Sequence, residues 1–179
     1  MIEAQGFPGD DARGSEGGAQ RRVRVRRLSE DEAQSLRGEL TALVVRSKAS
    51  WGYDDDFMAR FAATSVTREL VGERRACLVA VAMDRPVGVA VVDDESTRAW
   101  LEDLWVEPEY FGRGVGRALW DAALQVAREW DRAILELESD PNAEGFYLAM
   151  GARRTGTRAS SVLVGRELPL MHYEVTAHP

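Results

Sequence analysis

A chain of 179 residues, 45% hydrophobic and carrying a formal net charge of -7, is long enough for one domain with a sizeable core and short for two. No apolar run approaches the roughly 18–20 residues that span a bilayer, and the acidic groups are scattered, leaving no basic stripe for a nucleic acid. Cys77 is the only cysteine, which excludes an internal disulfide and a cysteine-rich metal site; the two histidines, His172 and His178, lack metal-ligand spacing, so no metal is expected.

Residues 1–20 are rich in Gly, Asp, Glu, Ala and Gln and bury too little to offset the entropy of ordering. They read as a flexible tail ahead of a single domain over 21–179. No basic stretch followed by an apolar one opens the chain, so the expected compartment is the cytoplasm. The alternation Arg22-Val23-Arg24-Val25-Arg26 predicts a strand. Ser29 with Glu32 three positions on is a capping box, and it opens a helix over 30–45 with Leu36, Leu40, Leu43 and Val44 on one face. A short helix over 54–63 follows the loop Ser50-Trp51-Gly52-Tyr53.

Strands over 77–83 and 87–92, joined at Asp84-Arg85-Pro86, predict an antiparallel hairpin, with Cys77 a buried and inert thiol in the first of them. A third strand over 98–106 ends at Glu107-Pro108. The helix over 115–130 carries Leu119, Ala123, Val126 and Trp130 at helical spacing. A strand over 133–137, the turn Asp140-Pro141-Asn142, a helix through Met150 closed by Gly151, and strands over 152–157 and 168–175 complete the order. The expected fold is α/β (α+β): one mixed, mostly antiparallel sheet of about six to seven strands flanked by about four helices.

Between the third strand and its helix lies Gly112-Arg113-Gly114-Val115-Gly116-Arg117. Without β-carbons the turn's N–H groups can approach a ligand closely, and they converge with the positive end of the helix dipole. Arg113 and Arg117 add charge-assisted contacts, so the turn suits a phosphate or diphosphate. The competing reading is a turn that needs glycine for its backbone angles alone. No Lys-Ser or Lys-Thr follows, as a Walker-type loop requires, and the spacing is G-x-G-x-G rather than the dinucleotide G-x-G-x-x-G. Glu136 and Glu138 lie near the place of a ribose-binding acid, but an upstream antiparallel hairpin does not suit a doubly wound sheet. A dinucleotide-binding enzyme is therefore the lesser alternative.

On these residues the chain resembles the GNAT superfamily of N-acetyltransferases over 22–175. Residues 111–116 match the superfamily's Q/R-x-x-G-x-G/A motif except at Phe111. Asn142-Ala143-Glu144-Gly145-Phe146-Tyr147, followed by Met150-Gly151-Ala152, resembles its asparagine-to-Phe-Tyr helix. Ser50-Trp51-Gly52-Tyr53 and Gly165-Arg166-Glu167-Leu168-Pro169-Leu170 look like one bacterial subgroup.

The resemblance implies acetyl-CoA as cofactor and transfer of acetyl to a primary amine of a small molecule, by direct attack in a ternary complex. It also allows a homodimer. It implies that Gly112, Arg113, Gly114, Val115, Gly116 and Arg117 hold the diphosphate, while the main chain of Leu104 and Val106 pairs with the pantetheine arm across a splayed strand. An N–H near Leu104 would polarise the acetyl oxygen. Tyr147 matches the tyrosine beside the thioester sulfur. Asn142 would cap its helix or touch the pantetheine amides.

Glu102 is the candidate general base. By simple alternation it shares a strand face with Leu104 and Val106, which sends Asp103 to the other face. Many relatives carry that glutamate two residues earlier, where this chain has Trp100. Trp51 and Tyr53 line the acceptor pocket or plug the core. A non-catalytic CoA-binding module is the remaining alternative: Phe111 and Trp100 favour it, whereas Tyr147 and the complete glycine turn favour an enzyme.

Overall fold

The computed structural model describes residues 23–65, 70–160, 162–163 and 165–175. The expected tail and Arg22, the first residue of the expected opening strand, lie outside them. Strand β1 (Arg24–Arg27) leads into α1 (Glu30–Ala49). The capping box forms as expected: Ser29 Oγ accepts from the Glu32 N–H at 3.3 Å, and the Glu32 carboxylate accepts from the Ser29 N–H at 2.9 Å. Helix α1 runs past 45 because Ser47 and Lys48 are buried against other elements, a stabilisation that apolar periodicity does not register. Helix α2 is Asp55–Ser65.

Strands β2 (Arg75–Ala82) and β3 (Arg85–Asp94) form the expected hairpin, one position earlier than the proline suggested. The turn residues are Met83 and Asp84, both at positive φ (50° and 58°), the twist a two-residue hairpin demands. Strand β4 (Ala99–Val106) continues the antiparallel run, α3 (Val115–Glu129) crosses over, and β5 (Ile134–Glu138) lies parallel to β4. Helix α4 (Glu144–Ala149) precedes β6 (Arg153–Ala159) and β7 (Glu167–Glu174). The sheet order is β1-β2-β3-β4-β5-β7-β6, mixed and mostly antiparallel as predicted, and β4–β5 is its parallel pair.

Helix α3 covers one face of the sheet and α1 with α2 the other, so β2 and β3 are buried on both sides and read as near-continuous apolar runs. On the α3 face, Leu119, Trp120 and Ala123 pack with Leu78, Ala90, Val92 and Leu101. Trp120 lay outside the predicted stripe yet is among the largest fully buried side chains. On the α1 face, Leu40 and Leu43 pack with Cys77, Val79, Val89 and Val91. Burial, with a smaller contribution from the charge of Asp103, pushes the Cys77 thiol up to about 12, which leaves it inert at neutral pH.

Candidate active site

Strands β4 and β5 pair only at Ala99–Leu135 and Trp100–Glu136 and then diverge. Beyond that point β4 is bonded to β3 alone. In an antiparallel ladder, bonded and non-bonded positions alternate. The Glu107 N–H donates to the Val87 carbonyl at 2.9 Å, and this sets the phase. Leu104 and Val106 therefore turn their main-chain N–H and C=O away from β3, into the gap that β5 leaves. The gap has the geometry of a missing strand, open to any extended ligand with amide groups.

The glycine turn closes one end of this gap. Gly112 and Gly114 have φ of 71° and 82°, and a β-carbon on either would meet no atom within 4 Å. They are glycines for conformation, and open space lies beside them. Gly114 is the N-cap of α3, and the helix's first bond runs from the Ala118 N–H to the Gly114 carbonyl at 3.0 Å. Among the described residues the N–H groups of Gly114, Val115, Gly116 and Arg117 consequently have no protein acceptor. The exposed guanidinium of Arg113 sits 5.6 Å over the Tyr110 ring, and Arg117 is exposed on the first turn.

Gly116 has a packing role besides its unpaired main-chain N–H. A β-carbon there would lie 3.1 Å from the Phe146 ring, so its hydrogen lets α4 pack against the start of α3. Val115 likewise buries its side chain in the core and offers only its main chain.

Strand β4 breaks the simple alternation expected of it. A register shift at Val91/Val92 sets Val91 opposite Asp103 and Val92 opposite Leu101, leaving Glu102 as the extra residue of a bulge. Glu102 therefore does not share the face of Leu104 and Val106. Its Oε2 accepts from the Trp100 indole N–H at 2.8 Å, while Asp103 Oδ1 accepts from the Trp105 indole N–H at 2.7 Å. Both carboxylates border a cleft of about 900 Å³ on the α1 side, together with Trp100, Trp105, Phe57 and Phe61. The expected face of Glu102 is corrected: Asp103 lies on the other face from Leu104 and Val106 as expected, and the bulge brings Glu102 to the same side as Asp103.

Tyr147 is buried on α4, its ring centroid 5.7 Å from that of Trp120, and its hydroxyl has no hydrogen-bond partner among the described residues. Burial first, then the charges of Asp103 and Asp140, hold its phenol well above the ordinary value. The phenol is thus fully protonated at neutral pH and less acidic than a free tyrosine, which suits a hydrogen-bond donor.

Asp140, rather than Asn142, does the capping. Its Oδ1 accepts from the Asn142 N–H at 2.9 Å at the start of a 3-10 turn, Pro141–Ala143, which leads into α4. The Asn142 side-chain amide instead donates to the Tyr53 hydroxyl at 3.0 Å. That hydroxyl donates to Asp140 at 2.8 Å and accepts from Arg166 at 2.5 Å. Burial, reinforced by Asp140, pushes the Tyr53 phenol up to about 12.

Lys48 pairs with Asp140 in the same cluster, and Arg166 reaches that carboxylate at 2.8 Å. Trp51 and Tyr53 do not border the cleft; they stand behind it, enclosing Lys48. The importance of Lys48, Asp103 and Asp140 was not read from the sequence. The one available signal was that Lys48 is the chain's only lysine.

A sheet opened beside its parallel pair, with unpaired main chain on one lip and a helix start with unpaired N–H groups at its end, fits coenzyme A in chemistry and shape. It defines an acyl-CoA-dependent transferase. Residues 34–152 match the Acetyltransferase (GNAT) family, and the chain belongs to it: the protein is an acetyl-CoA-dependent acyltransferase.

The chain is 27% identical over 153 residues to the peptidyl-lysine N-acetyltransferase YjaB of Escherichia coli K12, covering 84% of this chain and 95% of that protein. In fold it is similar to the PaiA N-acetyltransferase of Thermoplasma acidophilum, solved with coenzyme A: TM-score 0.65, 17% identity, 86% of this chain and 99% of that one covered. A nourseothricin acetyltransferase matches at 29% identity and TM-score 0.54, over 58% of this chain and 67% of its own. Among the described residues no helix is long and apolar enough to cross a membrane, and no group of three His, Cys, Asp or Glu is placed to hold a metal ion.

Proposed function

We propose that the protein N-acetylates a primary amine of a small molecule, by direct attack in a ternary complex. The observation that carries this reading is the cleft bordered by Glu102 and Asp103, on the α1 side of the same strand whose main chain faces the gap. The amine enters on the carboxylate side, between aromatic walls that exclude water. Acetyl-CoA supplies the thioester that is cleaved.

Glu102 takes the proton from the acceptor ammonium, directly or through a water. An N–H near Leu104 donates to the acetyl oxygen. Tyr147 donates its phenolic hydrogen toward the departing sulfur. The amides of Gly112 to Gly116, with Arg113 and Arg117, hold the diphosphate, and the main chain of Leu104 and Val106 holds the pantetheine arm with help from Asn142. Trp51 and Tyr53 act on the acceptor indirectly, by shaping the wall around Lys48. The catalytic unit is the domain over 21–179, working in the cytoplasm, and a homodimer is compatible with the reading.

A panel of small amines and lysine peptides, read by release of CoA thiol, tests the assignment. Small amines as the better substrates support it. Turnover confined to peptides, the class named for the Escherichia coli relative, would transfer the acceptor assignment to protein lysines. Tyr147→Phe is expected to lower kcat about 100-fold while leaving the Kd for CoA nearly unchanged, since only proton donation is lost. An unchanged kcat across the pH range would remove Tyr147 from the mechanism.

A further inference from the structure

The chain holds one lysine among its 23 lysine and arginine residues, and that lysine is not on the surface. Lys48 is 5% exposed, ion-paired with Asp140, and boxed by the rings of Trp51, Tyr53, Phe57, Phe61 and Trp105, whose centroids lie 4.9 to 5.5 Å from Nζ. A buried ammonium among aromatic faces serves first as an anchor.

Three observations carry it further. Lys48 borders the acceptor cleft together with Asp103 and Trp105. Its amine also bridges the two lips of the gap. Trp105 is on β4, next to Leu104, whose main chain faces that gap; Asp140 follows the end of β5 and lies close enough to Tyr147 for its charge to act on the phenol. Finally, Asp140 already has a guanidinium partner in Arg166 at 2.8 Å. Charge balance alone is therefore met by arginine, the basic residue this chain uses everywhere else. What lysine adds is a primary amine that can lose its proton, which a guanidinium does not do.

We propose that the protein acetylates its own Lys48. The inference rests on the acetyl-transfer reading above. Deprotonated Nζ forms a bond to the acetyl carbonyl carbon and the carbon–sulfur bond breaks; the sulfur leaves with the bonding pair and is protonated. The products are Nε-acetyl-Lys48, CoA thiol and one proton. Burial lowers the pKa of the Lys48 ammonium against the opposing pull of Asp140, so its neutral form is more accessible than that of a surface lysine. Near-total burial makes the step intramolecular. Its product is a neutral amide, which no longer pairs with Asp140.

The test is intact-mass measurement of the full chain incubated with acetyl-CoA, followed by cleavage at arginine and sequencing of the fragment 47–60. The expected result is one acetyl group per chain, on Lys48, at a first-order rate independent of protein concentration and slowed about 100-fold by Tyr147→Phe. Lys48→Arg should lose the fragment's modification entirely. The same incubation in urea should leave Lys48 unmodified over the same time.

Equal modification in urea would make the acetylation merely chemical and overturn the inference. Acetylation of external amines with Lys48 untouched would overturn it too, leaving the proposed function intact. Modification of Lys48 with no external amine accepted would uphold it and remove the small-molecule acceptor instead.

Discussion

Replacing Asp140 with alanine is expected to destabilise the protein by about 3–5 kcal/mol, because it strands two cations in a buried site. Lys48 and Asp140 have side chains only 6% and 5% exposed, and the same carboxylate bonds Arg166, the Tyr53 hydroxyl and the Asn142 N–H. In a domain of this size the loss corresponds to a fall in Tm of about 10–15 °C, measurable by calorimetry. Asp140→Asn should cost less, since it keeps an acceptor for the cap and the phenol.

The cluster also sets an acid limit. Burial alone would raise the Asp140 carboxyl, but the bonds from Lys48, the Asn142 N–H and Tyr53 more than offset it and hold it below the usual range. A carboxyl lowered on folding contributes stability that is present above its unfolded pKa of about 4 and is lost as pH falls through the folded value. Tm should therefore drop on acidification below about pH 4, and more steeply in the parent protein than in Asp140→Asn. Equal slopes would mean that this carboxylate is not stabilised by its neighbours.

The second large effect is expected at Gly114. Its φ of 82° is one that a β-branched residue adopts at a cost of about 1–3 kcal/mol, so in Gly114→Val the turn relaxes and its amides lose their common aim. Each hydrogen bond to a charged oxygen contributes about 1.5–3 kcal/mol, so losing one or two weakens CoA binding by about 10- to 100-fold or more. Isothermal titration with CoA measures this directly, and an unchanged Kd would dismiss the turn as the diphosphate cradle. Gly116→Ala provides the contrast. Its β-carbon meets the Phe146 ring rather than a forbidden φ, so its penalty should fall on α4 packing and on Tm.

Features governed by a few neighbouring residues were legible in the chain itself. The Ser29–Glu32 capping box, the hairpin between β2 and β3, the glycine turn opening α3 and the stop at Gly151 each depend on backbone and side-chain energetics within a handful of positions. The fold class followed, because periodicity and turn signals together leave few ways to cover both faces of one sheet. Of the two roles open to Asn142 in the sequence, capping falls instead to Asp140, two residues away. Both side chains can cap, and only the reach of Lys48, Tyr53 and Arg166 to Asp140 distinguishes them.

Neighbouring residues were enough to show a glycine turn opening an amphipathic helix, a feature suited to an anion, because it depends on a handful of adjacent positions. Which side chains border the cleft was settled by packing between elements far apart in the chain. The bulge that turns Glu102 into the cleft beside Asp103 comes from a register shift against β3, and strict alternation along β4 cannot express it. The box around Lys48 draws on the loop after α1, on α2 and on β4, and its counter-charge Asp140 lies 92 positions along the chain. Burying a charge costs several kcal/mol unless distant groups compensate it, so that choice is made by the whole fold and leaves almost no local trace.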